Sequence, residues 1–248
     1  MQAMNVFSTT LFVGKHVELN PAVVNKAVSV KDKVDYYVRT LVQSVHNFFL
    51  RRMALPLWQL WIYIDGTTPP NLIEMVTAYP NVVIKRIDNF PTEAMVLSRF
   101  TPLGDETLGT VIVFDADGLL NDNVFGLVQS FHENIGQEYM FLYNTKGTIM
   151  ASLVGTKAST SREAFGAKLG IYIKDNSNLI AWHRDENFLD EAFANVDHEK
   201  VSRFEWSADF SAKYLVGTRA SMTNIKRNIQ TQIKKKNKKT KKRKQTGC

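Results

Sequence analysis

Between residues 9 and 114, short apolar runs alternate with segments whose apolar residues fall at helix spacing, and this alternation constrains the fold more than any other feature. TTLFV (9 to 13), LWQLWIYI (57 to 64), VVIKRI (82 to 87) and TVIVF (110 to 114) read as buried strands. Between them lie VDYYVRTLVQSVHNFF, NLIEMVTAY and TEAMVLSRF, each read as a helix. In the first, Val34, Tyr37, Val38, Leu41, Val42, Val45, Phe48 and Phe49 mark one packed face. Strand and helix in repeated succession predict an α/β fold with a largely parallel sheet covered on both faces. After residue 123, NVFGLVQSFHENI reads as a helix and EYMFLYN and IMASLVG as strands. LIAWHRDENFLDEAF begins as a strand and turns into a helix.

Ligands of such sheets bind beyond the carboxyl ends of the strands. Asp65 ends the second predicted strand, and Asp115, Ala116 and Asp117 follow the fourth. Each has an ordinary alternative. Asp65-Gly66 is a turn signal in its own right, and two acids after a strand can simply be solvated. Asp185 and Glu186 sit at a predicted strand-to-helix junction, where acids also favour the helix dipole.

The formal net charge of +7 divides unevenly along the chain. Eleven of the 31 Lys and Arg lie from Lys226 onward with no acid among them, so 20 basic residues face 24 acidic ones elsewhere. The run KKKNKKTKKRKQTGC repels itself and is expected to stay disordered. It suits an anionic polymer or membrane surface, or serves as a solubilising extension. It has no aromatic residue for stacking on bases, so no specific nucleic-acid recognition is expected. The expected organisation is one domain over residues 1–222 and a basic tail over 223–248. Cys248 is the only cysteine, which excludes a disulfide within the chain. With no secretory signal or membrane-spanning run in the sequence, the expected location is cytoplasmic, or peripheral to a membrane through the tail.

VFDADGLLND resembles the first motif of the haloacid dehalogenase superfamily. There Asp115 would be the nucleophile of a phosphohydrolase and Asp117 its acid/base. That motif normally opens its domain, whereas strand and helix units precede it here. Asn144-Thr145-Lys146 and Asp175-Asn176 imitate the later motifs poorly.

A second resemblance spans residues 6 to 200. YYVRTLVQSVHNFFLRRMALPLWQLWIYIDGTT, then LSRFTPLGDETLGTVIVFDADGLL, then HRDENFLDEAF resemble, in order, nucleotide-sugar-dependent glycosyltransferases of the GT-A fold. Rhamnosyltransferase-like enzymes and the capsid-glycosylating enzymes of large DNA viruses look similar. The resemblance implies a GT-A (Rossmann-like) fold and transfer of a hexosyl group from a nucleoside-diphosphate sugar donor to a glycan or glycoprotein acceptor. It makes Asp115-Ala116-Asp117 the DxD element, with Asp117 the main ligand of Mn²⁺ or Mg²⁺ and Asp115 its helper. His198 would complete the metal shell. Asp65 would contact base or ribose. Arg99 would lie near the donor, able to hold a phosphate or carboxylate in a fork. The first strand's end, Thr10, Phe12, Val13 and Gly14, would hold the nucleoside through its backbone, with Gly14 permitting close approach. Asp185 or Glu186 would be the general base. Asp105, His183, Trp182 and Trp206 are weaker candidates, read first as a loop cap, a structural histidine and core aromatics.

Overall fold

The computed structural model describes residues 3–11, 30–51, 54–87, 92–144, 147–157, 162–175 and 184–205. In chain order the strands are β1 (Met4–Leu11), β2 (Trp58–Ile64), β3 (Val82–Arg86), β4 (Leu108–Phe114), β5 (Tyr139–Tyr143), β6 (Ile149–Thr156) and β7 (Val201–Glu205). The helices are α1 (Val30–Arg51), α2 (Pro70–Thr77), α3 (Asp122–Glu133), α4 (Arg162–Asp175) and α5 (Arg184–Ala192). Two 3-10 segments, Thr92–Gly104 and His198–Lys200, complete the described elements.

The strands form one sheet in the order β3-β2-β1-β4-β6-β5-β7. β3, β2, β1 and β4 are parallel, whereas β6 runs against both β4 and β5. Two reversals cancel, so β5 runs with β4, and β7 is parallel to β5. Every described strand except β6 therefore ends at the same edge, which gathers the strand-end acids.

The uninterrupted apolar runs are explained by burial on both faces. Along β4, Ile112 and Phe114 enter a core with Phe7, Leu41, Val45, Phe48 and Phe125, under α1 and α3. Val111 and Val113 enter a second core with Leu97, Phe100, Phe141, Phe165 and Phe188, on the opposite face. Successive side chains of a strand point to opposite faces, so both sets must be apolar.

TEAMVLSRF, read as a helix, is a 3-10 helix running on to Gly104. Pro102 lies inside it and has no N–H to give a carbonyl four residues back. The Ser98 hydroxyl also donates to the Met95 carbonyl at 2.7 Å, competing with helix bonding. α4 packs on this segment through two glycines: a Cβ at Gly104 would lie 2.8 Å from the Gly166 Cα, and that neighbour is backbone. Gly104→Ala is expected to lower unfolding stability by about 1–3 kcal/mol through overpacking, read as a lower urea midpoint.

Arg162, at the start of α4, anchors the chain just beyond the same end. Its buried guanidinium donates to the carbonyls of Asp105 (2.9 Å), Leu108 (3.1 Å) and Gly109 around the start of β4. Burial lowers its pKa to about 10, so it stays charged at neutral pH.

On α3, His132 Nδ1 lies 2.7 Å from Thr110 Oγ1, and the ring meets Trp58 edge-on. Partial burial, then the Lys157 cation, lower the imidazole pKa. The unfolded chain therefore binds the proton more readily than the native one. Stability is full above the ordinary histidine range and falls as pH drops through it. The residue is only partly buried, so the effect should be modest. Urea midpoints between pH 7.5 and 5 should fall in the native sequence and fall less in His132→Gln.

Candidate functional site

The acidic loop is built from the end of β4. After Phe114 the chain turns tightly, with the Gly118 N–H donating to the Asp115 carbonyl at 2.8 Å. A Cβ at residue 118 would sit 3.0 Å from that same oxygen, so glycine keeps the turn closed. Ala116 and Leu120 are buried in the core under α1 and hold the loop from within. α1 braces it from behind. The Ser44 hydroxyl donates to the Gly118 carbonyl at 3.3 Å and accepts the Leu120 N–H at 3.1 Å. Asn47 Nδ2 donates to the Leu120 carbonyl at 2.7 Å. The side chain of Asn121 then caps α3, accepting from the N–H groups of Asn123 and Val124.

A second element approaches from the other face. β1 presents Ser8 and Thr10 to the 3-10 segment. Ser8 Oγ donates to the Arg99 carbonyl at 2.7 Å, and Thr10 Oγ1 lies 2.8 Å from Ser98 Oγ. Because the Ser98 hydroxyl proton goes to Met95, Thr10 is the donor of that pair. These buried bonds fix Arg99, whose side chain is 5% exposed. Arg99 Nη2 stands 2.9 Å from Asp115 Oδ1 and 2.7 Å from Asp185 Oδ2. Asp185 opens α5, and its Oδ1 accepts the Glu186 N–H at 3.1 Å. One guanidinium nitrogen thus joins the loop after β4 to the start of α5, 86 positions beyond Arg99 in sequence. Nη2 is thus shared between two acids.

Asp65 ends β2 at the same edge, two strand positions from β4, or about 10 Å at ordinary strand spacing. It is buried, and its Oδ1 accepts from Thr67 N (3.0 Å) and Thr67 Oγ1 (2.6 Å). Thr68 Oγ1 donates to the carbonyl of Leu11, tying this turn to the end of β1. Thr10 is at this edge too, with its side chain engaged by Ser98. Asp117 is buried and Glu186 half-buried. Phe12, Val13 and Gly14 lie outside the described residues, as do Trp182, His183, Trp206, Thr145, Lys146 and Asn176.

Two of the candidates lie at the opposite edge of the sheet. His198 precedes β7, and Val201 at the start of β7 is level with Tyr139, Thr156 and Val111. It is therefore at the amino edge, about 20 Å or more from Asp117 along the strands, too far to share an ion with it. Parallel β7 forces this, because a residue before a parallel strand cannot reach the edge where the strand ends. Asp105 lies at the amino edge as well, before β4. Its Oδ1 accepts from Thr107 N at 2.9 Å and Thr107 Oγ1 at 2.6 Å, making it a loop cap.

Among the described residues no group of three His, Cys, Asp or Glu is placed to hold a metal ion. Asp115, Asp117 and Asp185 nevertheless bring three carboxylates to this edge, and Arg99 one guanidinium. Hard oxygen donors in an excess of negative charge fit Mg²⁺ or Mn²⁺, ions that commonly take one or two protein carboxylates and complete their shell with water and phosphate oxygens.

No protein-family model matches the chain, and no curated protein matches it in sequence. Solved structures do resemble it. The 4-diphosphocytidyl-2C-methyl-D-erythritol synthase of Anaerococcus prevotii matches over 92% of this chain and 96% of its own, with 11% identity and a TM-score of 0.50. S. aureus TarS (residues 1 to 349) matches over 84% of this chain and 59% of its own, with 11% identity and a TM-score of 0.48. The synthase likeness shows the fold: a mixed α/β, GT-A-like, Rossmann-like sheet flanked by helices. Among the described residues no helix is long and apolar enough to cross a membrane.

Proposed function

We propose that the chain is a metal-dependent glycosyltransferase of the hexosyltransferase type, moving a sugar from a nucleoside-diphosphate sugar to a hydroxyl of a glycan or glycoprotein. One observation carries this reading: Arg99 draws the acidic loop after β4 and the acidic start of α5 to a single point on the carboxyl edge. Transfer needs two kinds of acid close together. One kind manages the charge of the departing diphosphate, and the other receives the acceptor's proton.

The nucleoside lies across the ends of β1 and β2, beside Asp65. Asp117, helped by Asp115, would hold Mn²⁺ or Mg²⁺, which supplies Lewis-acid charge to the β-phosphate side of the breaking bond. Arg99 fixes the distance between that loop and α5. Both oxygens of Asp185 already accept hydrogen bonds, from Arg99 and from the Glu186 N–H, so Asp185 acts as a positioning residue. Glu186, on the same first turn, is the general base. In an inverting transfer the acceptor oxygen bonds to the anomeric carbon, the bond to the diphosphate oxygen breaks with its electron pair, and the acceptor proton passes to Glu186. Glu186→Gln is expected to lower kcat by about 10²–10⁴ with the donor's KM little changed, measured by steady-state kinetics.

The reading is tested by thermal melting with UDP-, GDP- and dTDP-sugars, with and without Mn²⁺. A true donor stabilises the folded chain by about 2.7 kcal/mol at one hundred times its Kd. The rise should require the ion and vanish in Asp117→Ala. No rise with any nucleotide sugar would reject the proposal.

A further inference from the structure

A cavity of about 340 Å³ lies at the amino edge of the sheet, between the first half of α4, the end of α5, the start of β5 and the turn before β7. Thr156, at the end of β6, is part of its lining and is level with Val111 and Tyr139. Val111 precedes Asp115 by four residues, about 13 Å along the strand, and the second core lies between on this face. The cavity is thus separate from the candidate site. Its volume is at the small end of the usual range for ligand pockets, about 300–1,000 Å³, which is room for one substituted ring.

One group in the lining lacks what burial requires. Thr156 is 3% exposed, and its Oγ1 has no hydrogen-bond partner among the described residues. A buried hydroxyl left unmatched is costly, and a hydroxyl on a ligand would match it.

The other polar groups define the ligand's charge. Lys200 Nζ stands 2.8 Å from Glu138 Oε1, Lys168 Nζ donates to the Ala192 carbonyl at 3.3 Å, and Asp197 Oδ1 accepts the Glu199 N–H at 3.0 Å. Two ammoniums thus meet two carboxylates in the lining, so neither an anion nor a cation gains by entering. The ammoniums still have N–H groups to donate, and the carboxylates still have lone pairs to accept. An alcohol does both, so adjacent alcohols can bond an ammonium and a carboxylate together.

The apolar wall selects a saturated ring over a flat base. Phe165 and Phe193 stack on each other with centroids 5.3 Å apart, and each is 7% exposed, so they offer little open ring face. Leu103 and Val196 extend the wall. The C–H bonds of a saturated ring need only such an apolar surface.

We infer that this cavity is a second binding site, for an uncharged sugar ring, with Thr156 Oγ1 bonded to one of its hydroxyls and Lys168, Lys200 and Glu138 to others. Sugar binding here stands independently of the transferase reading.

The test is backbone-amide NMR of the full chain titrated with glucose, N-acetylglucosamine and lactose, beside glucose 6-phosphate and adenosine. At least one neutral sugar is expected to shift the amides of Ala164, Lys168 and Val196 saturably. Its Kd should be about 1–10 mM, which ordinary ligand efficiency gives a ring of about twelve heavy atoms. Thr156→Val keeps the side chain's shape and removes the hydroxyl. It should weaken binding of that sugar about tenfold, while the melting point of the free chain stays level or rises, because the hydroxyl had no partner. A merely structural Thr156 would leave the sugar's Kd unchanged. Ala164→Trp, on an exposed position of α4 that borders the cavity, should abolish the shifts. They should persist in Asp117→Ala, which removes the proposed donor site alone. No saturable shift at those amides below about 50 mM sugar, an unchanged Kd in Thr156→Val, shifts lost in Asp117→Ala, or tighter binding of glucose 6-phosphate or adenosine at this cavity would overturn the inference.

Discussion

Replacing Asp117 by asparagine is expected to lower sugar transfer by about a thousandfold or more, with little change in folding. The argument is electrostatic. A nucleoside diphosphate departs with two or three negative charges, and stabilising that charge is commonly the largest single contribution to catalysis in such a reaction. Asparagine keeps the shape of the side chain but removes the charge that would hold a divalent ion. The loop should survive, because Ala116 and Leu120 are sunk in the core and Ser44 and Asn47 grip its backbone. Loss of turnover with an unaltered melting point would therefore locate the effect in the chemistry. Raising Mn²⁺ should not restore the rate. A variant that keeps more than a tenth of the native rate would show that the charge sits elsewhere. Asp115→Asn should be less severe for the ion but should also loosen the contact with Arg99.

Arg99→Met is expected to have the largest effect on stability. The guanidinium is almost wholly enclosed, and its Nη2 pairs with both Asp115 and Asp185. Methionine fills the space but leaves two carboxylates close together at a partly buried point with no positive charge between them. Breaking a buried pair by removing one partner costs about 3–5 kcal/mol. At about 2–4 °C per kcal/mol for a chain of this size, the melting midpoint should fall by about 6–20 °C. Adding Asp185→Asn to Arg99→Met should recover part of that loss, because it removes one of the two repelling charges. Arg99→Lys should fall between the two, since an ammonium on a flexible stem lacks the fixed planar geometry. A melting point within 2 °C of native for Arg99→Met would mean that the pair contributes nothing to folding.

How much of this was legible in the sequence depends on whether each feature is local. β2, β3 and β4 appear within about two residues of their expected bounds; β2 and β4, buried on both faces, leave nearly unbroken apolar runs. α1 follows its apolar periodicity. α4 and β7 were not foreseen. The apolar residues of REAFGAKLGIYIKD are spread around the helix, and VSRFE is five residues at an edge. Pro102 was visible, yet its effect on the Arg99 segment depends on how Ser98 and Gly104 are held by β1 and α4. In the site, Asp65, Asp115 and Asp117 were legible as acids ending apolar strands. The meeting of Arg99 with Asp185 was not, since no periodicity reports a contact across 86 positions. Ser8, Ser44, Asn47 and Ser98 carry no motif; their only trace is a small polar residue where an apolar one would pack. That His198 lies at the amino edge was not legible, because spacing along a chain does not reveal at which end of a sheet a connection lies.

The grip of α1 on the acidic loop separates what sets the loop's shape from what meets a substrate. Ser44 and Asn47 work from the rear, so side chains in front of the loop are free to diverge without its backbone shifting. On the proposed transferase reading, relatives that choose a different sugar should keep this rear clasp and vary at the front. An engineer seeking a new donor should leave Ser44, Asn47 and Gly118 alone and randomise the opposite wall.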